Sequence, residues 1–145
     1  CLKCAKCAYV LLNYCAYYPK DKTVSIITKN IFDVPENQKW FKQMIGLGEH
    51  TPFECVGQIE ESRLAFEMCW RKGFKGQAIT TYKENFSNLN YDEILDSFLK
   101  VYPEDCSYPD SIRDEILFEM ERKISDEKRD LVQFLDNPLK KAGWR

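Results

Sequence analysis

The stretch from about Ala5 to Tyr18, AKCAYVLLNYCAYY, constrains the fold more than any other part of the chain. Its apolar residues run nearly all the way round a helical wheel, and a helix of that kind is expected to be buried on several sides. Asn13 interrupts it, and it falls well short of the roughly 20 apolar residues that a membrane span needs. Its cover must come from elsewhere in this chain or from a further domain. At 145 residues, 44% hydrophobic and 14% aromatic, the chain has enough material to bury one such helix in a core.

Charge narrows the partners. The formal net charge is −2, with both signs mixed along the sequence. There is no basic excess to hold a polyanion, so no nucleic-acid partner is expected. No membrane partner is expected either.

The chain starts at Cys1, in CLKCAKC. A mature lipoprotein also starts with cysteine, but a lipid anchor leads into a polar tether rather than two more cysteines. The expectation is therefore a fragment of a longer protein. The cysteines number seven and are unevenly spaced, which suits reduced thiols in a cytoplasmic protein better than a secreted disulfide framework. Cys1, Cys4 and Cys7 form C-x2-C-x2-C. That spacing lets thiolates converge on one ion such as Zn2+, with a fourth ligand still to be found. It equally suits three small side chains on the first turns of a helix.

After Pro19, the β-branched run Thr23 to Thr28 fits a short strand that completes a sheet elsewhere. Asp33-Val34-Pro35-Glu36 reads as a helix start with Asp33 as cap, and Trp40, Phe41, Met44 and Ile45 supply the inward face. A helix follows over about Gln58 to Lys72. Glu60, Arg63, Glu67 and Arg71 fall on one stripe of it, which reads as a solvated, salt-bridged face. Glu61 and Ser62 point into the apolar arc. Gly73 to about Asn90, rich in Lys, Gly and Asn, reads as a loop. Asn90 with Glu93 caps a helix carrying Tyr91, Ile94, Leu95, Phe98 and Val101. Pro109-Asp110-Ser111 opens another, with Ile112, Ile116, Leu117, Met120 and Ile124 inward and a restart at Ser125. The fold class is mainly α, in one region spanning residues 1–145.

After the helix that ends near Ile45, and running into the one that starts at about Gln58, lies GEHTPFECVGQIEES, Gly48 to Ser62. It gathers the only histidine, a cysteine and four carboxylates into fifteen positions. Two readings fit Glu61. It is either an acid in a wet first turn, favoured by the helix dipole, or a site carboxylate facing a cleft. His50 is either a hydrogen-bonded loop residue or a proton carrier. Cys55, in an apolar context, is either a core thiol or a reactive one.

Two segments together, C-x2-C-x-K-C-A-Y at Cys1 to Tyr9 and GLGEHTPFECVGQIEES at Gly46 to Ser62, resemble a known family. It is that of the bacterial UDP-N-acetylmuramoyl-L-alanyl-L-glutamate epimerases, in their C-terminal part. There a CGxCxKCAF-type cluster leads a helix and an HKPFECVGExEE-like stretch follows. This sequence has Thr51 where that pattern has lysine and Gln58 where it has glutamate. The resemblance covers roughly the first half of the chain.

It implies an ATP- and Mg2+-dependent isomerase of peptidoglycan precursor synthesis. The terminal L-glutamate of a UDP-sugar dipeptide, UDP-MurNAc-L-Ala-L-Glu, would be inverted through carboxylate adenylation. It further implies His50 or Glu61 as base, Cys55 as an alternative acid, and Glu54, Thr51, Gly57 and Glu60 as substrate contacts. A missing N-terminal domain of the same chain would bind nucleotide, leaving this region inactive alone. A reading from another class is a zinc-stapled helical accessory module of a different nucleotide-dependent protein, without chemistry of its own.

Overall fold

The computed structural model describes residues 2–50, 56–101 and 108–136. Its contacts divide the chain into two compact units, one running to Leu89 and the other from Asn90 to Asn137. The described residues form helices and no strand.

The first unit is built on α1 (Ala5–Tyr17), which packs chiefly against α4 (Ile59–Arg71) and α3 (Pro35–Met44). Its buried residues are Ala5, Ala8, Leu12, Cys15 and Ala16, mostly small side chains that let α4 approach closely. Burial is one-sided. Val10, Tyr14 and Tyr17 remain about two-fifths exposed on the opposite face, so the expected burial on several sides is not met within this unit. At its far end Lys72 caps the helix, reaching the carbonyls of Ala16, Cys15 (3.4 Å) and Tyr18 (2.9 Å).

The expected strand is a helix. Lys20–Ile26 forms α2, begun by Pro19. Thr23 turns its hydroxyl back to the carbonyls of Pro19 (3.0 Å) and Tyr14 (3.3 Å). Without a partner strand a β segment leaves its backbone groups unpaired, whereas a helix satisfies them within itself.

A 3₁₀ turn, Ile31–Asp33, then feeds α3. Pro35 occupies the start of α3, but Asp33 is not its cap: the N-cap position is Val34, with no side-chain bond. The Asp33 carboxylate accepts instead from the backbone N–H of Gln77, at 2.7 Å. That bond starts α5, Gln77–Phe86, inside the stretch read as a loop. Gly76, just before it, has φ +144°, and a Cβ there would lie 2.7 Å from that of Phe32. A side chain is excluded there on both counts.

Aromatic rings thread the core from the 3₁₀ turn to α5. Phe32 lies 5.8 Å from Phe41 and 5.9 Å from Phe66, Phe66 stacks on Tyr82 at 5.4 Å, and Tyr82 continues to Phe86. Contacts of this geometry add stabilisation beyond the area they bury.

α5 also changes the outer stripe of α4. Glu60 is exposed as expected, but Glu67 is only 2% exposed. Its carboxylate pairs with Arg71 (2.8 Å) and Lys83 of α5 (3.6 Å) and accepts from the Tyr82 hydroxyl (3.1 Å). Arg63 leaves the stripe, donating to the Ile45 carbonyl (3.0 Å) with its guanidinium 4.3 Å above the Phe86 ring. The face read as solvated is thus covered by a helix read as a loop.

In the second unit, α6 spans Tyr91–Phe98 with Tyr91 and Leu95 buried. Asp110–Asp136 is one continuous helix, α7, without the restart expected at Ser125. Ile116, Leu117, Met120 and Ile124 are half-buried, while Ile112 is exposed. No helix among the described residues is long and apolar enough to cross a membrane.

Candidate functional site at the α1–α4 contact

Gly57 precedes α4 by two residues, and its missing side chain makes the site. A Cβ there would collide with the Oε2 of Glu61 and the hydroxyl of Tyr9. Three groups from two segments therefore converge at one point. Glu61 sits half-buried in the first turn of α4, and the Tyr9 phenol of α1 lies beside its carboxylate. Burial first, then the neighbouring Glu61 carboxylate, push the Tyr9 hydroxyl up to about 12, partly offset by Asn13. Asn13, one turn further along α1, also donates to the Tyr9 carbonyl at 3.0 Å. Tyr17 is likewise raised, by burial of its phenol and then by the charge of Glu61. Glu61 is thus a half-buried acid in the first turn of α4, with Gly57 and Tyr9 beside its carboxylate.

Ser62 beside it is fully buried, and its hydroxyl has no hydrogen-bond partner among the described residues. The first turn of α4 has no side-chain cap, and Glu60 and Glu61 already lie against its N-terminal dipole. An anion bound to the Gly57–Ile59 amides would have to share that turn with two carboxylates. His50 is exposed, with no hydrogen-bond partner among the described residues. Thr51, Glu54 and Cys55 lie outside the described residues, as does Cys1.

At the start of α1, Cys4 is the N-cap and its sulfur accepts from the Cys7 N–H at 3.5 Å. The Leu2 backbone, then Cys4, hold the Cys7 thiol below its ordinary value. Two thiols fall short of the four ligands of a structural zinc site, and the described residues hold no group of three or more His, Cys, Asp or Glu that could hold a metal ion. Cys4, Cys7, Cys15 and Cys69 are thiols rather than disulfides.

The family model described as the MurL C-terminal domain matches residues 1–91, well over half of the 145. The chain belongs to this family. The MurL match takes in α1 through α5 and with them every residue singled out at the α1–α4 contact. The UDP-N-acetyl-alpha-D-muramoyl-L-alanyl-L-glutamate epimerase of Salinispora tropica is 29% identical over 68 residues, which is 47% of this chain and 15% of that protein. The protein of the same name from a Micromonospora species is 31% identical over 68 residues, again 47% and 15%. That of Xanthomonas oryzae pv. oryzae is 35% identical over 65 residues, 45% of this chain and 14% of its own. The matched part therefore spans only about one-seventh of these relatives' length. No solved structure matches the chain.

Of the residues that the MurL pattern singled out, Gly57 and Glu61 come together and His50 stands apart from them in exposure. Tyr9 and Asn13 were missed as site residues. Their signal was faint: a polar residue interrupting an apolar helix, spaced i,i+4 from a tyrosine. The MurL-type pattern CGxCxKCAF has phenylalanine where this chain has Tyr9, so the hydroxyl against Glu61 departs from that pattern.

Proposed function

We propose that this chain is part of an ATP-dependent epimerase that inverts the terminal L-glutamate of UDP-MurNAc-L-Ala-L-Glu to D-glutamate, in peptidoglycan precursor synthesis in the bacterial cytoplasm. The observation that carries the reading is Glu61: a half-buried carboxylate, beside the Tyr9 phenol and seated against a glycine, in a chain of the MurL family.

An α-proton beside a carboxylate is very weakly acidic, because its removal puts a second negative charge next to the first. ATP with Mg2+ would supply the remedy: the glutamate carboxylate bonds the α-phosphorus, pyrophosphate leaves, and later hydrolysis restores the carboxylate and releases AMP. Glu61 then takes the α-proton as general base, its oxygen oriented by the Tyr9 hydroxyl. His50 or Cys55 returns a proton to the opposite face. Gly57 keeps the approach to Glu61 open, and Glu54, Thr51 and Glu60 contact the substrate. The N-terminal domain of the whole enzyme supplies the site at which ATP reacts, and this region alone is inactive. Cys4 and Cys7, with Cys1, hold Zn2+ as a structural staple.

The test is turnover of UDP-MurNAc-L-Ala-L-Glu by the full-length protein with ATP and Mg2+ in deuterated water. Deuterium at the glutamate α-carbon together with AMP is expected, and Glu61→Gln abolishes the exchange. A well-folded protein that neither exchanges nor forms AMP overturns the proposal, and leaves the zinc-stapled accessory module as the reading to pursue by metal analysis.

A further inference from the structure

A cleft of about 390 Å³ lies on the first unit between α2 and the Gly73–Lys75 turn, lined by neither Glu61 nor His50. Its size is within the usual range for a small-molecule site. Ile27, Phe32 and Phe74 supply apolar and aromatic wall, and Lys20, Lys29 and Lys75 supply three cations. No carboxylate lines it.

The walls are held in place. Lys20 donates to the Gly73 carbonyl at 2.6 Å and lies 5.2 Å from the centroid of the Phe74 ring. Asn30 joins the other side, donating to the Lys75 carbonyl at 2.8 Å and to Asp33 at 2.7 Å. Phe74 stands edge-on to Phe32, 5.8 Å away. The nearby acids are engaged elsewhere: Asp33 by Asn30 and Gln77, Glu36 by Lys3 at 2.6 Å. Lys29 exerts only a minor pull on Glu36. Three like charges around one recess repel one another, and a polyanion relieves that cost. A cleft of one sign also focuses its field on an incoming anion. Lysines act there as point charges on phosphate. An anion alone would need no aromatic wall.

We propose that this cleft binds a nucleoside diphosphate group, its base against Phe74 and Ile27 and its phosphates between Lys29 and Lys75. The inference takes from the epimerase reading only the choice of uridine and adenine probes. Binding is read without turnover, so either idea can fail without the other.

Isothermal titration of the 145-residue chain with UDP, ADP and inorganic pyrophosphate tests it. Saturable binding of a nucleotide is expected, with pyrophosphate weaker by roughly tenfold or more. The tighter of UDP and ADP identifies the source of the diphosphate. Lys29→Gln with Lys75→Gln, both exposed positions, should weaken binding by about tenfold or more, while Lys39→Gln on α3 should not. Three results overturn the proposal: no saturable nucleotide binding at millimolar concentration, pyrophosphate binding as tightly as the nucleotides, or affinity unchanged by the double substitution.

Discussion

The carboxylate of Asp33 accepts the backbone N–H of Gln77 at 2.7 Å, so that a residue 44 positions upstream starts α5. Gly76, at the N-cap position, offers no side chain for this. Asp33→Ala should lower stability by about 1 kcal/mol, the usual cost of a lost cap, while Asp33→Asn keeps most of it. Urea unfolding of both variants measures this. Equal losses from Ala and Asn would show that the bond does not matter.

Glu67 is nearly inaccessible and joined to Arg71, Lys83 and Tyr82. Removing the one anion leaves two cations facing each other beside a buried hydroxyl. Glu67→Ala should therefore cost roughly 3–5 kcal/mol. A loss below about 1 kcal/mol, the scale of a surface pair, would mean that the network is solvated after all.

Tyr9 titrates near 12 in the folded protein, above its ordinary value of 10.0. The sign follows directly. Below pH 10 both states keep the proton and the favourable contact is fully present. Above it the unfolded chain ionises first, so stability is lost as pH rises through about 12. Thermal melts from pH 9 to 12 should show the wild type losing more than Tyr9→Phe. Parallel curves would count against the Tyr9–Glu61 contact. Tyr9→Phe should also slow α-proton exchange in the full-length protein without abolishing it, since the hydroxyl orients the base without carrying the proton.

Gly57→Ala inserts a methyl where Tyr9 and Glu61 meet. The carboxylate must move, at a cost of about 1–3 kcal/mol for overpacking. In the full-length protein exchange should fall far more than stability, since a small misplacement of a base costs on the order of a hundredfold. Activity and melting temperature both at wild-type level would refute the assignment.

Thiol chemistry should separate the two ends of α1. Cys7 is half-buried with a lowered thiol, whereas Cys69 is fully buried and raised well above its ordinary value, first by that burial. Limited iodoacetamide treatment with peptide mapping should find Cys7 modified well before Cys69. The reverse order would contradict the packing of α4 on α1.

Several elements were open to reading from residues alone. The helices at α1, α3, α4, α6 and the start of α7 announce themselves by period and by Pro35, Asn90 or Pro109. α5 does not, because its capping group is Asp33, and a search for caps near Gln77 meets only glycines. Its apolar positions Ala78, Ile79 and Tyr82 do repeat at helical spacing, hidden among Lys, Thr and Asn. α2 was obscured by β-branched residues whose preference gives way where no strand is available to pair. At the site, Gly57 and Glu61 belong to one motif and could be found together. Tyr9 meets them only where α1 and α4 cross, and that geometry is written in no local pattern.

Glu67 also fixes how α5 lies along α4. A slip of one helical turn, about 5.4 Å, would still leave apolar side chains of α4 and α5 facing each other, because the hydrophobic effect is non-directional. A buried charge has no such freedom: the same slip would strand the carboxylate away from Lys83 and the Tyr82 hydroxyl. The ion pair thus acts as an indexing pin. Because Asp33 holds the other end of α5, the pin also carries alignment back to the turn that walls the lysine cleft.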